Sequence, residues 1–260
     1  MLVLVTFAAK AEFVPWRARH GFRALALQAG RPENEASLYE AALHGCKVRV
    51  LLTGIGLQNA SQSAETALQK GAELCIASGL AGALVPSYRV GDIVAARRVV
   101  RPGSDAFLNG DDEFLAEAVA CGAKLANGLV TSDALAVRRE QKRALAAFGD
   151  TVDMESYAVL KAAQGSGARA IAVRAISDAA NEELPLDFSA LMNDRGEIEV
   201  ARLAGHLVRR PRRIPGLVRF GFQCRRSARQ LADFLDRYVA KLAAWKQPQG
   251  GARLEEVTCK

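Results

Sequence analysis

This sequence of 260 residues has no long apolar run. Stretches such as "IVAA" and "LCIA" fall far short of the roughly 20 residues a membrane-spanning helix needs. The opening "MLVLVTFAAK" is apolar but has neither a basic leader nor a cleavage context, so it reads as a first core strand rather than a signal peptide. The five cysteines (Cys46, Cys75, Cys121, Cys224, Cys259) are scattered, odd in number and without metal-ligand spacing. That excludes a disulfide framework and a metal centre, and it leads us to expect a reduced, cytoplasmic protein. Neither G-x-G-x-x-G nor a Walker pattern occurs, so no dinucleotide or nucleoside triphosphate site is supported. Internal repeats and low-complexity segments are also missing.

The sequence does have charge concentrated in one place. Between Ala201 and Trp245 there are 11 Lys and Arg against two acids, Asp233 and Asp236. That segment therefore holds +9 of a chain whose net charge is +7, and the remainder is slightly acidic. Before residue 200, short apolar runs at 2–7, 48–53, 74–78, 92–96, 128–131 and 170–175 read as strands. Helical patterns near 58–70, 112–120, 138–148 and 155–165 lie between them. Strands alternating with helices predict an α/β domain with a mostly parallel or mixed sheet. After residue 200, two prolines in "HLVRRPRRIPGLVRFGFQCRR" argue against one continuous helix. The following "RSARQLADFLDRYVAKLAAW" spaces Leu231, Phe234, Leu235, Tyr238, Val239, Leu242 and Trp245 as an amphipathic helix. We expect residues 1–200 to form the catalytic domain, 201–247 a basic extension packed on it, and 248–260 a disordered tail.

Three stretches offer chemistry. "VRAISDAAN" (173–181) brings one acid, Asp178, to the end of a buried strand, where open α/β sheets place their sites. "LLTGIGLQNA" and "IASGLAGAL" read as strands running into glycine turns, either plain tight turns or places where backbone approaches a ligand. "TVDMESYAV" sets Asp153 and Glu155 around Met154 at a helix start. Those acids serve either as helix-dipole partners or as a sugar clamp, with a carboxylate accepting from two ribose hydroxyls and Met packing on the ring.

Taken in order, "AAKAEF", "TGIGLQNA", "SGLAGAL", "VGDIVAA", "TSDALA", "VDMESYAV" and "VRAISDAAN" resemble the purine nucleoside phosphorylase and methylthioadenosine/adenosylhomocysteine nucleosidase superfamily. The resemblance covers about residues 1–188. It implies a three-layer α/β/α fold around a mixed, twisted sheet, with the site at the strands' C-terminal ends, and a homo-oligomer. It casts Asp178 as the general acid that protonates the leaving adenine, a role suited to a partly buried carboxyl of raised pKa. Arg174 matches an Arg associated with that acid, and Phe188 an aromatic lining the substrate pocket. Glu155 and Met154 fall on the ribose-binding pair, with Asp153 where the family often has Glu. Glu12 falls on the acid that activates the attacking water. Leu135 and Ala136 match positions at the adenine edge, and Gly79 belongs to the substrate-binding "SGLAGAL".

The departures are as informative. Leu80 stands where many relatives have a Ser that helps hold phosphate or water, and Asn181 replaces the final Asp of "SDxAD". The loop after Val100 lacks the His- and aromatic-rich segment of the small nucleosidases, and the basic C-terminal segment is foreign to them. That segment resembles the hopanoid-associated phosphorylases of bacteria, linked with removing adenine from adenosylhopane. The resemblance implies a lipid-linked adenine nucleoside as substrate and peripheral contact with the inner membrane face through residues 202–229. No metal or organic cofactor is implied. Phosphate as co-substrate and water as nucleophile both stay open: Glu12 favours water, the family name favours phosphate. The other readings are a methylthioadenosine/adenosylhomocysteine nucleosidase, or a non-catalytic membrane-surface or nucleic-acid module. The aromatic and basic pattern falls short of a nucleic-acid interface.

Overall fold

The computed structural model describes residues 1–25, 38–104, 106–186 and 211–245. The first strand, β1 (Leu2–Phe7), is buried on both faces, as its unbroken apolar run requires of a central parallel strand. It pairs in parallel with β4 (Cys46–Leu52) and β5 (Leu74–Ala83). Beyond β4 the sheet continues antiparallel through β3 (Leu38–Leu43) to β2 (Arg23–Leu25). β5 pairs β1 over its first four residues, and Gly82 and Ala83 near its end pair antiparallel with β11 (Thr151–Asp153). The parallel partner β12 (Arg169–Asp178) follows β5 along most of its length. β12 also pairs antiparallel with β6 (Ile93–Ala96), which leads to β9 (Lys124–Ala126). From β11 the sheet runs on through β10 (Leu129–Thr131) and β7 (Arg98–Val100) to β8 (Phe107–Asn109). The mixed, twisted sheet of the α/β class is therefore present.

Among the described residues before 187, five helices join these strands: α1 (Lys10–Arg17), α2 (Leu57–Leu68), α3 (Asp112–Ala120), α4 (Arg139–Leu145) and α5 (Ser156–Ser166). Two large apolar clusters form the core. One is filled by α2 and α5, the other by α1, α3 and the C-terminal helix α6 (Ile214–Trp245).

Two expectations need correcting. "SGLAGAL" is no turn, because β5 runs through both of its glycines to Ala83. Backbone pairing with β12 and β11 outweighs the low strand propensity of glycine, and at Gly82 an added Cβ would lie 2.9 Å from Asp178 Oδ2. The prolines also fail to break the last helix. Pro211 opens a short 3-10 turn, and Pro215 sits in the first turn of α6, where its missing N–H has no intrahelical acceptor to lose. The helix then runs 32 residues, about 48 Å.

The second half of α6 is a core element. Leu231, Phe234, Leu235, Tyr238, Val239 and Leu242 are fully buried. Tyr238 Oη donates to Phe114 O at 2.8 Å and Ser227 Oγ to Ile176 O at 2.6 Å. Polar contacts tie α6 to α1, with Trp16 Nε1 donating to Asp236 Oδ1 at 2.6 Å and Arg19 Nη1 pairing Asp233 at 2.5 Å. Among the described residues, no helix is long and apolar enough to cross a membrane. The expected tail, Phe188 and the first part of the basic segment lie outside the described residues.

Candidate active site

The ends of β1, β4, β10, β11 and β12 converge beside the second half of β5. There they enclose a cavity of about 230 Å³. Asp178, Glu12, Met154, Glu155, Asp153, Leu135 and Ala136 all line it. Residues the sequence did not single out complete the walls: Ile55, Gly82, Ser177, Leu184, Phe220 and Cys224. Phe220 and Cys224 come from one face of α6 at a spacing of four, so the basic segment supplies a wall of the cavity. That face was hidden in the sequence because Arg residues surround it.

Glu12 is held by the helix that carries it. It is the third residue of α1, and its Oε2 accepts from the Ala8 and Ala9 amides at 3.0 and 3.1 Å. Leu80 N donates to Oε1 at 3.2 Å. Burial pushes the Glu12 carboxyl above its usual range, against the pull of Arg174 and these amides. Glu155 stands at the N-cap position of α5 with its side chain turned away from the helix, and its Oε1 accepts from Gly56 N at 2.9 Å in the "TGIG" turn. Burial pushes Glu155 up to about 7; Arg174 opposes the rise and Asp153 adds to it.

Asp153 does different work from Glu155. Its carboxylate accepts from Thr131 Oγ1 at 2.8 Å and Ser156 N at 3.1 Å and pairs Arg174 Nη2 at 2.5 Å. These partners consume its acceptors, so it anchors the cation behind the wall and leaves Glu155 to face the cavity.

Arg174 and Gly79 lie behind the lining. Arg174 donates to Ser156 Oγ at 2.9 Å and to Ser78 O at 3.0 Å, and its Nη1 lies 3.8 Å from Glu155 Oε2. The resemblance pairs Arg174 with Asp178; here the two make no contact. Four residues along one strand separate them by about 13 Å, too far for a direct pair. Gly79, with φ +139, carries no side chain because an added Cβ would lie 2.5 Å from Arg174 Nη1 and 3.2 Å from Glu12 Oε2. It shapes the site without lining it.

The cation on Asp178 is Lys142 of α4, which the sequence reading missed. Its Nζ makes a short contact with Asp178 Oδ2 and donates to Ala179 O at 2.7 Å. Ser177 Oγ lies 2.6 Å from Asp178 Oδ1 and 3.2 Å from Ala81 O. A β-bulge between Ile176 and Asp178 sets the acid's direction at the strand end. Among the described residues, no cluster of side chains could hold a metal ion.

The sequence profile of the phosphorylase superfamily matches residues 7–209. The chain belongs to the phosphorylase superfamily. That makes it an enzyme of the nucleoside phosphorylase and nucleosidase class. The match stops short of α6, so the helix that walls the cavity lies beyond the family's shared sequence pattern. Solved structures share the fold. A futalosine hydrolase mutant of Helicobacter pylori is 19% identical with a TM-score of 0.69, over 92% of this chain and 98% of its own. The 5'-methylthioadenosine/S-adenosyl homocysteine nucleosidase of Campylobacter jejuni is 19% identical with a TM-score of 0.69, over 93% and 99%. The nucleosidase of Neisseria meningitidis in complex with methylthio-immucillin-A is 20% identical with a TM-score of 0.69, over 92% and 98%.

The state of Glu155 yields a pH prediction. If Glu155 clamps the ribose, as the resemblance implies, its ionised carboxylate is the form that accepts from both hydroxyls, so kcat/KM should rise with pH through the acidic range toward about 7. Glu12, also raised, steepens the same acidic limb if it acts as a base. A kcat/KM profile measured with methylthioadenosine checks this, and a flat profile from about pH 5.5 to 8 would remove Glu155 from the sugar clamp.

Proposed function

We propose that the protein hydrolyses the N-glycosidic bond of a 5′-modified adenine nucleoside, with adenosylhopane the favoured substrate. The observation that carries the choice of water is the charge of the cavity wall. Among the described residues its charged members are Glu12, Asp153, Glu155 and Asp178, all acids. Arg174 is 1% exposed and engaged by Asp153, so among the described residues of the wall a phosphate dianion meets no cation. Leu80, where relatives place a helpful Ser, adds nothing for an anion.

In the reaction we propose, Glu155 accepts from the ribose hydroxyls while Met154 packs on the sugar. Leu135 and Ala136 wall the base. The C1′–N9 bond breaks as Asp178 gives its proton to N7 of adenine. Glu12 takes a proton from the attacking water, whose oxygen bonds to C1′. No cofactor takes part.

The lipid-linked substrate rests on α6. Its inner face contributes Phe220 and Cys224 to the apolar part of the cavity wall, with Ile55, Leu80 and Leu184. On its outer face Ile214, Val218 and Phe222 are 42%, 52% and 68% exposed, amid exposed Arg212, Arg213, Arg219, Arg225, Arg226 and Arg229. An apolar ridge flanked by arginines suits an anionic membrane surface, at up to about 1 kcal/mol per basic residue. The helix would then stand between the membrane and the nucleoside pocket.

The deciding experiment measures adenine release from adenosylhopane in anionic vesicles, with and without phosphate, beside methylthioadenosine. We expect release independent of phosphate, with the 5′-modified ribose carrying a free anomeric hydroxyl, rather than its 1-phosphate, as the sugar product. Strict dependence on phosphate would make the enzyme a phosphorylase, and cleavage of methylthioadenosine alone would make it a housekeeping nucleosidase.

A further inference from the structure

Lys142 is an unusual residue to find in a core. Its side chain is 1% exposed, on a short helix whose neighbours Arg139 and Arg143 are solvated. A buried ammonium is costly unless paired, and the pair it makes is with Asp178, itself 5% exposed. The remaining contact, to the Ala179 carbonyl at 2.7 Å, fixes the ammonium at the turn that follows β12.

Lys142 does not line the cavity, yet both things it joins do. The segment before α4 supplies Ala134, Leu135 and Ala136 to the wall, and β12 supplies Ser177 and Asp178. Val137 O accepts from Leu184 N at 2.9 Å, so the same two chain segments are stitched a second time. Around Asp178 stand Ser177 on one carboxylate oxygen, Lys142 on the other, and Cys224 facing it from α6.

We infer that Lys142 is a positioning residue for glycosidic cleavage: its ammonium holds the Asp178 carboxyl against the base wall and balances the carboxylate that remains once the proton has left. The inference rests on the reading of Asp178 as the acid. When Asp178 gives up its proton, a negative charge appears in a pocket whose other charged lining groups are acids, and Lys142 is the cation against it. Lys142 pairs the carboxylate that stands there before the proton is loaded and again after it is given, so it acts on the transfer step rather than on substrate binding. The effect therefore belongs in kcat.

The test is a double-mutant cycle on methylthioadenosine and adenosylhopane, paired with carboxyl NMR. Lys142→Met should lower kcat about 10²-fold with KM within a few-fold. In an Asp178→Asn background the same change should alter kcat by less than about threefold, because the group it acts through is already gone. Equal losses in both backgrounds, or an unchanged kcat in the single variant, would overturn the inference. If the single variant does not fold, Lys142→Gln takes its place in the cycle. The NMR arm needs no turnover. In protein labelled with 13C at Asp Cγ, and with D178N to assign the signal, Asp178 should keep its proton to higher pH in K142M than in wild type. An unmoved titration rejects Lys142. Absence of cleavage by wild type, by contrast, rejects the functional reading while the NMR arm still reports on Lys142.

Discussion

Asp178→Asn should reduce kcat for adenine release about 10²–10⁴-fold, the usual contribution of a positioned general acid, and leave KM within a few-fold. The amide is close in size to the carboxylate and keeps an oxygen toward Lys142 Nζ, so the cavity keeps its shape. Asn cannot give a proton to N7, and the leaving adenine must then depart as an anion. Steady-state kinetics with methylthioadenosine measure this directly. A riboside with a leaving group that needs no proton, such as 4-nitrophenyl riboside, should lose far less. Equal losses on both substrates would mean that Asp178 holds the pocket together rather than acting as an acid.

The second large effect falls on stability. Arg174→Met should destabilise the fold by about 3–5 kcal/mol at neutral pH, because it removes the cation from a buried cluster that includes Asp153, Glu155 and Glu12. Met fills similar volume, so the cost is electrostatic, together with the lost hydrogen bonds to Ser78 O and Ser156 Oγ. Its pH dependence has a defined sign. Glu12 and Glu155 already bind protons more readily in the folded state than in the unfolded chain, and removing Arg174 strengthens that preference. Folding of the variant therefore takes up more protons than folding of wild type. The deficit should shrink as pH falls from about 8 to 5.5. Urea denaturation at the two pH values measures it, and a deficit independent of pH would mean that packing dominates.

Much of the framework could be read in the sequence, and the reasons are local. The strands at 2–7 and 170–175 are runs of β-branched and apolar residues long enough to declare themselves, and β1 and β12 contain them. The helix at 112–120 begins after Asp111, whose side chain accepts from Phe114 N as an N-cap should. Three-residue strands such as β7 and β9 left too little pattern to find. Helix α1 was overlooked because it is only eight residues long and contains Pro15.

The site divides in the same way. Local sequence determined which residues stand at strand ends and helix starts, and so it brought Met154, Glu155 and Asp178 to notice, whereas Glu12 came only through the resemblance of "AAKAEF". Which charge meets which was decided by tertiary structure. Lys142 reaches Asp178 across 36 positions of sequence, and Arg174 turns to Asp153 across 21. Nothing in a helix reading "REQKRAL" sets its one buried lysine apart from its solvated neighbours. Burial and ion pairing depend on where an element docks, and docking is settled by the whole core. The same holds for α6: its amphipathic period is written in the sequence. Only the packed fold makes Phe220 and Cys224 a wall of the cavity while Ile214, Val218 and Phe222 stay outside.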